Sequence, residues 1–363
     1  MNSKRLISLD AFRGFTIAAM IMVNNPGTWS DVYAPLLHAK WHGLTPTDLI
    51  FPFFIFIVGV SIALAYSKRL EAETPKAGMY KKIVLRSLKI FGVGIFLALY
   101  PKFHFADLRV AGVLQRIAIV FLICAILYLT TKWKTQAIIG GALLIVYWLA
   151  MVFIPTPGLG VVSLEPGLNI AAWVDSFLLP GRMWQGTWDP EGLLSTVPAI
   201  AGGISGMLAG HIILSKNDDL KKVVWLFLAG FVSFVIGYLW SWNFPLNKNL
   251  WTSSFVLVTS GLASMTLAAS IYVVDILGRT RYTKIGIIFG ANAISVYVLA
   301  GLLGYVFRSV ELFGASIKTH MMNLFEAIGC EIKLASLLYA LFYISVLFIP
   351  AVILYRKKIF IKL

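Results

Sequence analysis

Apolar residues fill ten long stretches of this sequence, and short polar segments separate them. Each stretch is long enough to cross a bilayer core as a helix of about 20 residues, apart from the third, which can begin earlier. Within lipid the backbone must satisfy its own hydrogen bonds, so each stretch is predicted to be helical. We place the stretches at approximately 9–26, 48–67, 88–101, 110–130, 136–154, 192–214, 221–241, 253–275, 285–306 and 335–355.

Composition predicts the same class. The 363 residues are 59% hydrophobic and 13% charged, with a mean hydropathy of +0.84, and a soluble fold has no interior large enough to hide so much apolar surface. We therefore expect an all-α fold, a polytopic membrane helical bundle of about ten transmembrane helices. No low-complexity run divides it, so residues 1–363 are expected to form a single integral-membrane domain.

Basic residues orient the predicted bundle. Most Lys and Arg residues fall in the inner segments if the N-terminus is cytoplasmic, so the positive-inside rule predicts that both termini are cytoplasmic. The net charge of +15 then reflects topology, and a nucleic-acid partner is not expected. The longest outer loop, 155–191, contains an apolar stretch at 170–179 that predicts an interfacial helix, either a lid or a helix packed at the membrane surface.

The first span and the two cysteines argue against a removed signal peptide and against cysteine-based sites. The first span carries Asp10 and Arg13 and ends without a small-residue cleavage site, so it is not expected to be a removed signal peptide. Cys124 falls inside a span and Cys330 in an outer loop, so neither a disulfide, a redox pair nor a metal site is expected.

The densest polar segment, residues 36–48, leads directly into the second span. It carries His38, Trp41, His42 and Asp48, and it places imidazoles that titrate near neutral pH at the edge of the hydrocarbon layer. These residues are candidates for proton transfer and substrate contact. The alternative is that both histidines are ordinary interfacial side chains beside Trp41.

Polar residues inside the predicted spans are also candidates, because each is costly in lipid unless paired or hydrated. Asp10 and Arg13 share a helix face and can form an ion pair. Arg116 cannot lose its proton, so it needs an anion, either a protein carboxylate or a ligand phosphate. Gln115 precedes it, and Asn292 offers a third polar face that helix–helix hydrogen bonding explains almost as well.

Two outer segments are rich in polar and aromatic residues. Asp189 and Glu191 lead into the sixth span, and a second group leads into the eighth. Asp189 and Thr252 can serve as helix caps, or these segments can line a pocket for a sugar. The second group consists of Asn247, Lys248, Asn249 and Trp251.

Seven of these motifs, in this order, resemble the heparan-α-glucosaminide N-acetyltransferase family of transmembrane acyltransferases. The motifs run from about residue 5 to residue 297 and cover most of the chain; they are RLISLDAFRG, VNN, HAKWHGLTPTDLIFPFFIFIVG, LRVAGVLQR, WDPEGLLST, PLNKNLWTSSF and GANAISVY. The resemblance implies transfer of an acetyl group from cytoplasmic acetyl-CoA, an acyl-CoA cosubstrate, to an amino sugar on the far side of the membrane, without a metal.

The resemblance also implies residue roles. The family's active-site histidine falls on His38, and its functional Asn falls on Asn24; His42 stands where animal members have Asn. After Tyr297 this chain lacks the Gly-His-Glu-like run of the animal enzymes, which leaves the acceptor open. The short loops and the lack of a large domain ahead of the first span lead us to expect a bacterial inner membrane.

The chemistry of acetyl transfer fits these candidates. A neutral imidazole at His38 can accept the proton of an attacking amine, or it can carry the acetyl group itself. Asn24 can donate a hydrogen bond to the thioester oxygen, and Asp48 either orients an imidazole or caps the second span. We assign the phosphate path of acetyl-CoA to Asp10, Arg13, Gln115, Arg116 and Asn292, and acceptor binding to Trp41, His42, Asp189, Glu191, Asn247, Lys248, Asn249 and Trp251.

Two other functions remain open at this stage. One is an amino-sugar secondary transporter with His38 and Asp48 as a proton relay, although the internal repeats common in transporters are not evident. The other is an acyltransferase that modifies a different cell-wall or glycan sugar. The expected partners are acetyl-CoA, the sugar acceptor and the lipid bilayer, and a homodimer is left open.

Overall fold

The computed structural model describes residues 6–72 and 75–361; Lys4, Arg5 and Lys362, which the topology prediction includes, lie outside these ranges. Almost all regular structure within them is helical, and the short strands β1 (Glu311–Leu312) and β2 (Ala315–Ser316) form one antiparallel hairpin. The α-helices are α1 (Ile7–Asn24), α2 (Ile50–Glu71), α3 (Lys76–Leu99), α4 (Val113–Thr130), α5 (Trp133–Phe153), α6 (Ile170–Leu178), α7 (Leu193–Leu214), α8 (Asp219–Trp240), α9 (Ser253–Ser270), α10 (Thr283–Ala291), α11 (Ala293–Ser309), α12 (Ile317–Ala327) and α13 (Ile332–Arg356).

The all-α prediction is confirmed, and the chain is a multi-pass membrane protein. Within the described ranges, eight helices are long and apolar enough to cross a membrane, and nine if α10 and α11 form one span bent by 81°. The remaining predicted segment is α3, which begins well before residue 88. It is not among these helices because five basic residues lie between residues 76 and 89: Lys76, Lys81, Lys82, Arg86 and Lys89.

The chain divides into two compact units. The first unit comprises Met1–Ala39, Thr45–Phe51 and Val273–Leu363, and the second comprises Lys40–Leu44 and Pro52–Tyr272. The short segment Lys40–Leu44 therefore belongs to a different unit from the residues on either side of it.

In the first unit, α1 packs closely on α10 through glycines. A Cβ atom at Gly14 would lie on the carbonyl oxygen of Gly286, so only glycine permits this approach. The first backbone amides of α1 have no side-chain cap of their own. Asp275 accepts hydrogen bonds from the amides of Ile7 (3.0 Å) and Ser8 (3.4 Å) and so fixes the start of α1.

The break between α10 and α11 is held by Asn292. Its amide nitrogen donates to the carbonyl of Ile359 at 2.9 Å, and its amide oxygen accepts from the backbone N–H of Ile361 at 2.8 Å. The segment after α13 therefore pairs with the break through both amide atoms of one side chain.

In the second unit, small residues bring α7 against α2. A Cβ at Gly206 would meet the carbonyl of Phe56, and one at Gly210 would meet the Cβ of Ala63. Gly202, Gly206 and Gly210 are spaced four residues apart in the sequence, which is typical of a close helix contact, and Gly206 and Gly210 make that contact here.

A buried cluster in the same unit positions the turn before α9. Tyr147 and Met151 of α5 pack with Phe244 and Leu250, and the hydroxyl of Tyr147 donates to the carbonyl of Leu250 at 2.5 Å. The polar residues of the turn are thus attached to a rigid helix core.

Candidate active site

A histidine–carboxylate pair lies in the first unit. Asp48 is 1% exposed, and its Oδ1 lies 2.6 Å from Nδ1 of His38, whose side chain is 44% exposed. The other carboxylate oxygen of Asp48 accepts the backbone N–H groups of Ala39 and Thr45, each at 3.0 Å. The imidazole is therefore accessible while the carboxylate that holds it is buried and fixed.

The local sequence explains this geometry. Thr45 precedes a 3-10 turn at Pro46–Leu49 that leads into α2, and Thr45 and Asp48 form a reciprocal capping box. Pro46 is suited to the first helical position because its missing N–H would be unsatisfied there in any case. Both roles foreseen for Asp48, orienting an imidazole and capping a helix, are thus present in one side chain.

The pair determines how the imidazole can react. A carboxylate only accepts hydrogen bonds, so the neutral ring places its proton on Nδ1 and its lone pair on Nε2. If Nε2 gains a proton or an acyl group, the buried charge of Asp48 stabilises the resulting cation. The arrangement supports either a general base or a nucleophile.

Asn24 and its neighbour Asn25, at the end of α1, have different surroundings. Asn24 is the last residue of the helix and is exposed, whereas the side chain of Asn25 donates to the carbonyl of Ile21 at 2.8 Å. A shallow cleft lies beside them in the same unit; its lining includes Met22, Val23 and Lys333.

In the second unit, Asp189 and Glu191 both bind an arginine, Arg109, that the sequence analysis does not single out. Arg109 binds Asp189 through two parallel hydrogen bonds of 2.6 and 2.7 Å, and its Nη2 also donates to Glu191 at 2.5 Å. Burial disfavours the charged guanidinium, but the two carboxylates outweigh burial and raise the pKa of Arg109. Burial likewise opposes ionisation of Asp189, and Arg109 still holds its pKa below the ordinary value.

Arg116 lies at the start of α4 and is 1% exposed. Its Nη2 donates to the carbonyl of Gly192 (3.1 Å) and to the hydroxyl of Ser195 (2.5 Å), and its guanidinium stacks on the indole of Trp251 at 4.9 Å. Nε and Nη1 have no hydrogen-bond partner among the described residues. Trp251 has a left-handed backbone (φ +54°), a strained conformation for a bulky residue.

A buried carboxylate on α6 caps α7. Asp175 is 2% exposed and accepts the backbone N–H of Leu193 at 2.8 Å. Burial raises the pKa of Asp175 to about 6, although its hydrogen bonds with backbone amides oppose that shift. Helix capping, one of the two alternatives for Asp189 and Thr252, is not observed at α7 and α9, because Asp189 is engaged with Arg109 and Thr252 donates to the carbonyl of Pro245.

His42 and Asn247 also meet in the second unit. The amide nitrogen of Asn247, which is fully buried, lies 3.3 Å from Nδ1 of His42. Trp41 donates from its indole to the carbonyl of Leu164 at 3.0 Å. Lys248 and Asn249 lie in the same turn as Asn247 and are partly exposed.

The residues predicted for the acetyl-CoA path have structural partners. Asp10 and Arg13 form an ion pair of 3.2 Å, and the amide of Gln115 lies against Gly94. Both amide atoms of Asn292 are bonded to the C-terminal backbone. Their role in cofactor binding stays a prediction, as does that of Arg116, whose bonded partners are protein oxygens. Within the described ranges there is no group of three or more His, Cys, Asp or Glu side chains that could hold a metal ion.

Comparison with known proteins bears on the whole chain. Residues 5–179, which include the His38–Asp48 pair, match the family model described as heparan-alpha-glucosaminide N-acetyltransferase, catalytic. The predicted resemblance to that family is confirmed. The heparan-alpha-glucosaminide N-acetyltransferase of Homo sapiens is 30% identical over 427 aligned positions, covering 99% of this chain and 60% of that protein. The Mus musculus protein of the same name is 28% identical over 426 positions, covering 100% of this chain and 61% of that protein. The chain thus spans about three fifths of the length of these relatives.

Sequence reasoning missed three polar residues: Arg109, which binds Asp189, Ser195, which accepts from Arg116, and Asp175, which accepts from the backbone of Leu193. The partners of Arg109 and Arg116 lie roughly 80 residues away along the chain, and no local pattern reveals such pairs. Asp175 offered a weak signal, a single acid in an otherwise apolar helix.

Proposed function

We propose that this protein is a transmembrane N-acetyltransferase that moves an acetyl group from cytoplasmic acetyl-CoA to the amine of a glucosamine-type sugar across the membrane. The observation that carries the proposal is the His38–Asp48 pair, within the part of the chain that matches the family. The names of the relatives specify acetyl transfer to a glucosaminide, and we extend that activity to this chain.

His38 performs the proton transfer in this proposal. An amine attacks a thioester only when it is unprotonated, and the lone pair on Nε2 of His38 takes its proton as the C–N bond forms. The C–S bond then breaks, CoA leaves as the thiolate, and the imidazolium returns the proton to the sulfur. Asp48 stabilises the imidazolium without itself becoming protonated.

A two-step route uses the same tautomer. Nε2 of His38 attacks the thioester carbon and expels the CoA thiolate. The amine then attacks the acetyl carbon, the bond from that carbon to Nε2 breaks, and the freed Nε2 lone pair takes the amine proton. In both routes we propose that Asn24, which is exposed at the end of α1, donates a hydrogen bond to the thioester oxygen. One well-aimed donor contributes roughly 3 kcal/mol of transition-state stabilisation. The engaged amide of Asn25 supports the choice of Asn24.

The remaining assignments follow the predicted topology. Arg13 with Asp10, and Gln115 with Arg116 and Asn292, are proposed for the acetyl-CoA path, toward which the basic cytoplasmic segments attract the phosphates. The acceptor is proposed to contact Trp41, His42 and the outer-loop residues Asp189, Glu191, Asn247, Lys248, Asn249 and Trp251. The short loops support a bacterial inner membrane, and we leave the oligomeric state at a monomer or a homodimer.

The test is transfer of a labelled acetyl group by the purified protein. Wild type incubated with labelled acetyl-CoA and glucosamine is expected to form labelled N-acetylglucosamine, and His38→Ala is expected to lose at least 99% of the rate. His104→Ala is the matched control, because His104 also lies beside an aspartate, Asp107 at 3.8 Å, but both side chains are highly exposed. Wild-type rates in His38→Ala would refute the mechanism. Uptake of glucosamine into liposomes without acetyl-CoA would instead support a transporter.

A further inference from the structure

The side-chain amide of Asn247 has a fixed orientation. Asn247 is completely buried in the turn before α9, where its Oδ1 accepts the backbone N–H of Leu250 at 2.9 Å. Its own backbone N–H donates to the hydroxyl of Thr252 at 3.1 Å, and its carbonyl accepts the N–H of Thr252 at 3.1 Å. Since Oδ1 is already engaged with a donor, the atom that faces His42 is the amide nitrogen.

This orientation decides the tautomer of His42. The amide nitrogen of Asn247 only donates, so Nδ1 of His42 at 3.3 Å must accept, and the proton of the neutral ring lies on Nε2. The backbone around the ring is also held, because the N–H of Gly43 donates to the carbonyl of Leu246 at 2.8 Å and the indole of Trp41 donates to Leu164. His42 itself is exposed, so its Nε2–H is available to a ligand.

His38 has the opposite tautomer. Its Nδ1 faces the carboxylate of Asp48, so its lone pair lies on Nε2. Two imidazoles four residues apart in the sequence therefore carry opposite hydrogen-bonding groups at the same ring position: an acceptor at His38 and a donor at His42.

We infer that Asn247 is a positioning residue that holds His42 as a hydrogen-bond donor to a hydroxyl oxygen of the acceptor sugar. This inference rests on the proposed function. A donor suits a hydroxyl rather than the reacting amine, because a proton directed at the amine lone pair would block its attack. His42 therefore contributes to acceptor specificity, whereas His38 carries the proton transfer.

The test combines a tautomer measurement with kinetics. With ¹⁵N-labelled histidine, nitrogen–proton correlation spectra of the protein in nanodiscs distinguish the two tautomers at each of the five histidines. Wild-type His42 is expected to show its proton on Nε2. Asn247→Asp keeps an acceptor for Leu250 but places a carboxylate oxygen on Nδ1 of His42, so the proton is expected to move to Nδ1.

Kinetics then separate positioning from a structural role. We expect Asn247→Asp and His42→Ala to raise the acceptor KM about tenfold, the effect of one lost hydrogen bond, while the KM for acetyl-CoA is unchanged. His42→Gln restores a donor near the position of Nε2 and is expected to stay within threefold of wild type. Asn243→Asp, which adds the same charge at an exposed residue of the same loop between α8 and α9, is the control.

Each outcome decides the inference. A proton on Nδ1 of wild-type His42, or an unchanged tautomer in Asn247→Asp, would overturn it, and so would an unchanged acceptor KM in His42→Ala. If wild type transfers no acetyl group, the proposed function fails. The His42 tautomer remains measurable, and a glucosamine-induced shift of its Nε2 resonance then supports donation to the sugar, whereas no shift refutes it.

Discussion

Replacing Asp48 by Asn tests the proposed base with little change in shape. The oxygen that accepts from the backbone amides of Ala39 and Thr45 must remain an oxygen, because both partners are donors. The new NH2 group therefore takes the position 2.6 Å from Nδ1 of His38. Because the NH2 group donates, Nδ1 of His38 must accept, and the ring proton moves to Nε2. No lone pair then remains on Nε2 to take the amine proton.

The magnitude follows from the interaction that is lost. A hydrogen bond to a charged group contributes about 1.5–3 kcal/mol, which favours the reactive tautomer by about 10- to 150-fold. Asp48→Asn removes that preference, adds the opposite one, and leaves the imidazolium unpaired. We expect kcat to fall by about 10²–10⁴, with little change in the acetyl-CoA KM.

The assay measures initial rates of acetyl transfer to glucosamine for wild type, Asp48→Asn and the control Asp31→Asn. Asp31 lies in the same loop and unit and accepts from Ser30 at 2.7 Å. Apparent Tm in detergent checks that both variants remain folded. If a folded Asp48→Asn protein keeps more than a tenth of the wild-type kcat, the tautomer argument is refuted.

Three further predictions concern stability and are read as apparent Tm in detergent. Burial raises the pKa of Asp175 from 3.8 to about 6, so the folded state favours the protonated acid. Protonated Asp175 stabilises the folded state below about pH 4, and this stabilisation is lost as the pH rises through 6. At pH 7 the Asp175→Asn variant is expected to be about 2–3 kcal/mol more stable than wild type, and its stability is expected to change less than that of wild type between pH 4 and 6. Gly14→Ala places a Cβ on the carbonyl of Gly286 and is expected to destabilise by about 1–3 kcal/mol. In Arg109→Lys the ammonium group cannot form two parallel hydrogen bonds with Asp189, so the free energy of unfolding is expected to fall by about 1–3 kcal/mol.

These stability predictions have matched controls. Gly78→Ala adds a Cβ where no atom lies within 4 Å and is expected to be neutral or slightly stabilising. Arg182→Lys alters an exposed side chain and is expected to leave Tm unchanged. Equal Tm values for Gly14→Ala and Gly78→Ala would contradict the close packing of α1 on α10. A pH profile of Asp175→Asn that parallels wild type would contradict the raised pKa.

The sequence by itself determined the class of fold. Apolar stretches must become helices in lipid because the backbone has no other hydrogen-bond partner there, and all ten predicted segments coincide with helices. The sequence also indicates the close helix contact at the α7 glycines and the polar segment around His38, since both depend on local composition and short spacings. Asp48 was identified in the sequence because it lies only ten residues from His38.

Only the tertiary structure decided which polar groups meet. Arg109 pairs with Asp189, Arg116 with Ser195 and Asn247 with His42 over separations of roughly 80 to 205 residues. Such partners are selected by helix packing, because a buried polar group is bonded to whatever donor or acceptor the neighbouring helices supply. The bend at Asn292 follows the same rule, since its amide pairs with backbone 67 and 69 residues away. Periodicity along the chain does not reveal these contacts, and one of them, between Asn247 and His42, orients the His42 imidazole.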